Sequence, residues 1–155
     1  MDRGCCFVGA RKFPEEVIGE LMVKLNREVD VQIEQGVTDF ICGGELGFDF
    51  MAASLVLSKR EMGKNIRLVF VLTHPDQAAD WADRERTLFR NLVGEADEVL
   101  YAADNGGPSC TRLRSREMVA RSGCCISALY QENGAIAKTY RLARQKGLRL
   151  ISLIG

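Results

Sequence analysis

Short apolar runs alternate along this chain with longer segments whose apolar residues recur at helical spacing. The runs predict strands over 5–8, 39–42, 66–72, 98–102, 124–129 and 148–154, and the periodic segments predict helices over about 14–36, 48–63, 77–93, 109–121 and 135–146. The almost wholly apolar run 66–72 is typical of a parallel strand covered on both faces. We therefore predict an α/β fold, a Rossmann-like three-layer sandwich with a mostly parallel sheet of about six strands.

Composition narrows the class of protein. The 155 residues are 46% hydrophobic and 27% charged, which is typical of a globular protein, and we expect a single domain over 1–155. Lys+Arg and Asp+Glu both total 21, so the net charge argues against a nucleic-acid partner. We see no apolar run of transmembrane length and no signal-peptide pattern, so we expect a cytoplasmic protein without a membrane partner.

Cysteine and histidine usage argues against a metal site. None of the six cysteines forms a C-x-x-C pair, and His74 is the only histidine, so we expect no metal and no bound cofactor. Four cysteines lie in the predicted strands 5–8 and 124–129, where a free thiol behaves as a small buried hydrophobe, and we expect reduced thiols in the core. Cys110 is predicted to lie in a polar loop and to be the exposed thiol, and its redox role stays open.

A glycine-rich stretch joins the second predicted strand to the second predicted helix. It contains Gly43, Gly44 and Gly47. A strand, a glycine turn and a helix in this order aim backbone N–H groups and the positive helix end at an anion. Glycine also lets a ligand approach the backbone closely. The alternative is that these glycines only form a tight turn.

Further candidate residues follow the other predicted strands. In this class of fold ligands bind at the carboxyl ends of the strands, where Gly9, Arg11, Thr73 and Gly134 are expected. Arg11 can pair with a phosphate or lie in solvent as a loop residue. Two phosphate-binding turns on one sheet edge would form a ligand site.

Charged side chains near these turns have both functional and structural interpretations. Asp49 can accept hydrogen bonds from ribose hydroxyls, or it can act as a first-turn acid opposite the helix dipole. Arg114 and Arg116 lie two residues apart on a predicted helix, so only one of them can face the site. Glu45 is the best spare carboxylate for acid–base chemistry, and Trp81 is expected to be a core residue.

The motifs and their order resemble the SLOG superfamily, in particular its YpsA-like branch. The resemblance begins at 7–11 (FVGAR), and it continues at 43–49 (GGELGFD) and 73–75 (THP). It includes the helix that bears Arg114 and the final segment from Gly134 to the end of the chain. The superfamily also contains the LOG phosphoribohydrolases and the DprA family.

The resemblance implies binding of a small-molecule nucleotide or nucleotide-derived ligand, such as an ADP-ribose or NAD relative, and relatives often form homo-oligomers. The predicted binding residues are Gly9, Arg11, Gly43, Gly44, Gly47, Asp49, Thr73, Arg114 and Gly134. LOG enzymes carry a proline-glycine-glycine turn followed by a helical glutamate, but 133–139 has one glycine and no carboxylate after it. A LOG-like N-glycosidase acting on nucleoside monophosphates through Glu45 or Asp49 is therefore an alternative, as is single-stranded DNA binding by analogy with DprA.

Overall fold

The structure is a computed structural model that describes residues 3–154. Six strands and five helices alternate within this range. The strands are β1 (Gly4–Gly9), β2 (Asp39–Cys42), β3 (Arg67–Leu72), β4 (Glu98–Tyr101), β5 (Cys124–Ala128) and β6 (Arg149–Ser152). The helices are α1 (Glu15–Glu34), α2 (Phe48–Glu61), α3 (Asp83–Glu95), α4 (Cys110–Ala120) and α5 (Lys138–Gln145).

The strands form one sheet in the order β4-β3-β2-β1-β5-β6, and every neighbouring pair is parallel. After β4 the chain crosses the sheet to place β5 beside β1, so the strand order reverses between β1 and β5. The connections leaving these two strands diverge there, which opens a crevice at their carboxyl ends. The predicted α/β class, parallel sheet and strand number are confirmed.

Helices cover both faces of the sheet. Side chains of α1, α2 and α3 pack with Cys5 and Phe7 in one buried cluster, and side chains of α4 and α5 pack with Cys6 and Val8 in the other. This division follows from the alternation of side chains along β1. The core therefore lies in two layers, as the three-layer prediction requires.

The third helix begins later than its apolar pattern predicts. It starts at Asp83 rather than near residue 77, because the side chain of Gln77 accepts the Thr73 N–H at 2.7 Å and holds the chain in a turn. Trp81 lies in this turn and packs as a core residue against Phe89, with ring centroids 5.3 Å apart. Leu88 of α3 is 46% exposed, whereas Phe89 and Leu92 of the same helix are buried.

Two other predictions about local structure need correction. The last helix begins at Lys138 rather than at residue 135, because 135–137 form a turn. Cys110 is the first residue of α4 and does not lie in a loop. It is partly exposed, whereas the other five cysteines are buried free thiols, as predicted.

None of the helices within 3–154 combines the length and the apolar character needed to cross a membrane. In the same range no group of three or more His, Cys, Asp or Glu side chains is placed to hold a metal ion.

Candidate functional site

A cleft of about 170 Å³ lies at the carboxyl ends of β1 and β2. Its lining comes from the loop after β1, the glycine turn, α4 and the segment that leads into α5. Five of the nine predicted binding residues line it, and the weak catalytic candidate Glu45 lies beside them. These five are Gly9, Arg11, Gly43, Asp49 and Arg114.

The other four predicted binding residues do not line the cleft. Gly44 packs against the side chain of Leu72, and Gly47 lies against the backbone of the loop after β1. Thr73 is buried behind the glycine turn, and Gly134 accepts a hydrogen bond from Arg141 at 2.8 Å.

The turn after β1 and the turn after β2 touch each other directly. The Phe48 N–H donates to the Ala10 carbonyl at 3.1 Å. A Cβ at Gly47 would lie 2.3 Å from the Arg11 carbonyl oxygen, and one at Gly9 would lie 2.4 Å from the Phe48 side chain. Close packing therefore requires glycine at both positions, and this packing brings Arg11 to the rim of the cleft.

Glu45 links two arginines across the cleft. Its Oε1 accepts from Arg11 Nη2 at 2.5 Å, and its Oε2 accepts from Arg114 Nη1 at 2.7 Å. Arg114 Nη1 also donates to the Gly43 carbonyl at 3.1 Å. Arg116 is exposed on α4, so Arg114 is the one of the two helix arginines that faces the site.

The Nε atom of Arg114 has no hydrogen-bond partner. Among residues 3–154 it is the one buried side-chain nitrogen or oxygen atom in this state. The Arg114 side chain is only 11% exposed, and its Nε would lie 3.5 Å from a Cβ built on Gly43. Since an unmade hydrogen bond of a buried charged donor is unfavourable, an acceptor in the cleft would stabilise this guanidinium.

Asp49 closes the glycine turn from inside. Its Oδ2 accepts the Glu45 N–H at 3.1 Å, and the residue is only 6% exposed. Burial raises the pKa of the Asp49 carboxyl to about 7, although hydrogen bonds from the turn and the charge of Arg114 oppose the rise. The carboxylate and the carboxylic acid are therefore populated comparably near neutral pH. One amide of the turn is already occupied by the protein's own acid.

Gln77 anchors the glycine turn from behind, a role that sequence patterns did not predict. Its Nε2 donates to the carbonyls of Gly43 and Gly44, each at 3.1 Å, while its Oε1 accepts from Thr73 N. His74 extends this group, because its Nδ1 lies 3.0 Å from Thr73 Oγ1. Thr73 is thus linked to the glycine turn through Gln77 and does not line the cleft.

Hydroxyl groups of α4 and α5 also line the cleft. Thr111 and Ser115 of α4 and Thr139 of α5 line the cleft, and the Ser115 and Thr139 hydroxyls lie 2.8 Å apart. Sequence analysis missed Thr111 and Ser115. Their spacing from Arg114 and Met118 places all four on neighbouring positions of one helix face, a signal that could have identified them.

The cleft combines two guanidinium groups, a glycine that leaves open space, and hydroxyl donors. Guanidinium and hydroxyl groups both donate to phosphate oxygens. This arrangement of donors suits a ligand that carries an oxyanion and has hydroxyl groups next to it.

Comparison with known proteins places the chain among related sequences. A family model described as the YspA SLOG family (YpsA) matches residues 11–149. A UPF0398 protein of Halalkalibacterium halodurans is 27% identical over 112 residues, which is 71% of this chain and 59% of that protein. A UPF0398 protein of Bacillus cereus is 22% identical over 134 residues, 84% of this chain and 72% of that protein. The matches thus span between about half and three quarters of the relatives' length.

A solved structure shares the fold. The X-ray structure of DNA processing protein A (DprA) from Streptococcus pneumoniae superposes with a TM-score of 0.68 at 14% sequence identity. The match covers 96% of this chain and 49% of that chain.

Proposed function

The chain belongs to the YspA SLOG family, and on that premise we propose that its cleft binds a nucleotide or a nucleotide-derived ligand of the ADP-ribose or NAD type. Membership of this family supports a function related to nucleotides or nucleic acids. The fold supports the location, because ligands of such sheets bind where the strand order reverses. The residues that line the cleft support the chemistry.

One observation carries the proposal: the buried, unpartnered Nε of Arg114 on the wall of the cleft. A guanidinium forms strong paired hydrogen bonds with phosphate oxygens. The Nη1 atom of Arg114 already donates to protein acceptors, whereas Nε has no partner among residues 3–154, so Nε is a donor available to a ligand. Arg11, on the opposite rim, offers a second guanidinium that is half exposed.

The size of the cleft indicates which part of the ligand it holds. Its 170 Å³ is less than the roughly 300–1,000 Å³ of typical small-molecule sites, so we place a phosphate and its sugar there. A wider groove of about 510 Å³ lies on the other side of Arg11. Phe50 and Leu88 give it apolar surface, and Lys12 and Arg84 give it positive charge, which suits a base and a second phosphate.

Ligand binding to the whole chain tests this proposal. We expect ADP-ribose, AMP or NAD to raise the melting temperature, because a ligand at about 100 times its Kd stabilises the folded state by about 2.7 kcal/mol. Arg114→Lys keeps the charge but removes the Nε donor and should weaken binding at least tenfold. Arg116→Lys, an exposed position on the same helix, is the matched control and should bind as the unchanged protein does.

The proposal fails if none of these nucleotides shifts the melting temperature at millimolar concentration. It also fails if Arg114→Lys and Arg116→Lys bind equally well. Calorimetric titration of the same variants would separate a true loss of affinity from a change in stability.

A second candidate function, N-glycosidic hydrolysis of nucleoside monophosphates, is favoured by one observation. Asp49, with a pKa of about 7, can hold a proton at neutral pH, and the Glu45 carboxylate lies beside it between two arginines. Carboxyl groups in contrasting environments are typical of acid–base pairs. Release of ribose phosphate from AMP, lost in Asp49→Asn, would support this reaction, whereas clear AMP binding without turnover would exclude it.

Single-stranded DNA binding is the third candidate, and it rests on the DprA-like fold alone. The balance of 21 basic and 21 acidic residues argues against it. Failure to retard single-stranded DNA in a gel at low salt would remove it.

A further inference from the structure

Glu45 occupies the position between Arg11 and Arg114 that a ligand anion would take. We propose that Glu45 is an internal competitor: its carboxylate fills the anion site in the free protein, and a ligand binds by displacing it. This inference rests on the proposed function, because it names the residue that sets how strongly the cleft binds an anion.

The geometry of the pair of arginines supports this role. Each carboxylate oxygen of Glu45 accepts from a different guanidinium, Oε1 from Arg11 at 2.5 Å and Oε2 from Arg114 at 2.7 Å. The two arginines come from distant parts of the chain, the loop after β1 and helix α4. Two oxygens of a phosphate can satisfy the same two donors.

The contacts of Glu45 allow its side chain to leave while its backbone stays. The backbone N–H is held by Asp49 Oδ2 at 3.1 Å, so the turn keeps its shape. The carboxylate contacts Gln77 Nε2 only at the long distance of 3.5 Å, and its side chain is 23% exposed. Rotation towards solvent therefore breaks the two arginine contacts and little else, while Arg114 keeps its bond to Gly43.

The charges of Arg11, Arg114 and Glu45 define the class of ligand that can displace Glu45. Arg11 and Arg114 carry two positive charges, and Glu45 neutralises one of them. A neutral nucleoside gains nothing by displacing Glu45. An anion with more than one negative charge, such as a phosphate ester or a diphosphate, interacts more strongly with the two guanidinium groups than one carboxylate does.

Glu45→Gln in the full chain tests the inference, with ADP-ribose and inorganic phosphate as probes in calorimetric titrations. We expect both probes to bind at least tenfold more tightly than they bind the unchanged protein. Glu117→Gln is the control, because Glu117 lies on α4, is exposed and pairs with Arg121 outside the cleft. It should leave both affinities unchanged.

A second measurement distinguishes competition from a structural role. Without anion, Glu45→Gln should melt at a lower temperature than the unchanged protein, because Arg114 loses its carboxylate partner. Inorganic phosphate should restore this loss and raise the melting temperature of the variant more than that of the unchanged protein. A purely structural Glu45 would give a loss that phosphate does not restore.

The outcomes separate the two proposals. If the unchanged protein binds ADP-ribose and Glu45→Gln binds both probes equally or more weakly, Glu45 is not a competitor, and the proposed function stands. If neither protein binds either probe, the proposed function fails and the competitor role fails with it. Glu45→Ala repeats the test if the glutamine variant does not fold, with the same criterion of tighter binding.

Discussion

Two glycine turns look alike in the sequence but differ in the structure. In the turn after β2, Gly47 has a φ of +82° and lies against the backbone of the neighbouring loop. In the turn before α5, Gly134 has a φ of +86°, but nothing lies within 4 Å of the place where its Cβ would be. The first glycine is required by its backbone angle and by a close neighbour, and the second by its angle alone.

The glycines within the turn after β2 also differ in their roles. Gly44 and Gly47 serve packing, whereas Gly43 lines the cleft without a left-handed φ, and the nearest atoms to its Cβ position lie at 3.4–3.5 Å. The glycine that leaves room for a ligand is therefore a different residue from the ones that shape the turn. A glycine motif indicates that another group lies close to the backbone, and only the tertiary structure shows whether that group is part of the protein or a ligand.

The largest expected effect is that of Gly47→Ala. A Cβ there requires a shift of the Arg11 backbone in addition to an unfavourable φ, so we expect the free energy of unfolding to fall by about 3 kcal/mol or more. Gly43→Ala is the control and should change it by less than about 1 kcal/mol, since its contacts are ordinary. Urea denaturation measures both. Equal stability of the two variants would contradict the close packing of the two turns.

The next effect concerns Asp49, which closes the glycine turn after β2. No acidic residue lies in the first helical turn of α5, so the turn of Gly134 has no counterpart of Asp49. With a folded pKa of about 7 and an unfolded value near about 3.9, the folded state keeps a proton that the unfolded state loses between these values. The free energy of unfolding should therefore fall as pH rises from about 4 to about 7, by on the order of 2–4 kcal/mol, and then level off.

Asp49→Asn should flatten this dependence, because the amide does not titrate but can still accept the Glu45 N–H. Denaturation across pH 4 to 8 measures it, with the exposed Asp80→Asn as a control that should keep the original slope. A slope that is the same in the Asp49 variant would show that another group causes it.

Apart from the Gly43→Ala control, the smallest effect is expected for Gly134→Ala. The open surroundings leave only the cost of a left-handed backbone, about 1–2 kcal/mol. Gly134→Asn should lose less, because asparagine tolerates this region. Thermal denaturation measures stability, and an ADP-ribose titration tests function. Tenfold weaker binding with little loss of stability would place the turn of Gly134 in the site and contradict the difference between the two turns.

The fold could be predicted largely from the sequence, and the site only in part. Strand positions were predicted well because buried parallel strands are continuous apolar runs, as in β3. The start of α3 was missed because the side chain of Gln77 competes with the helix, and such a local bond has no periodic signal. The role of Gln77 behind the glycine turn was missed for the same reason.

The amino-acid sequence by itself determined the alternation of strands and helices, the parallel sheet and the family, because periodicity and motif order are properties of the linear sequence. Only the tertiary structure decided that Glu45 joins Arg11 to Arg114, since these residues are separated by 34 and 69 positions. Contacts over such distances depend on the strand order, which brings separate loops to one edge of the sheet. It also decided which glycine faces open space and which faces a neighbouring backbone.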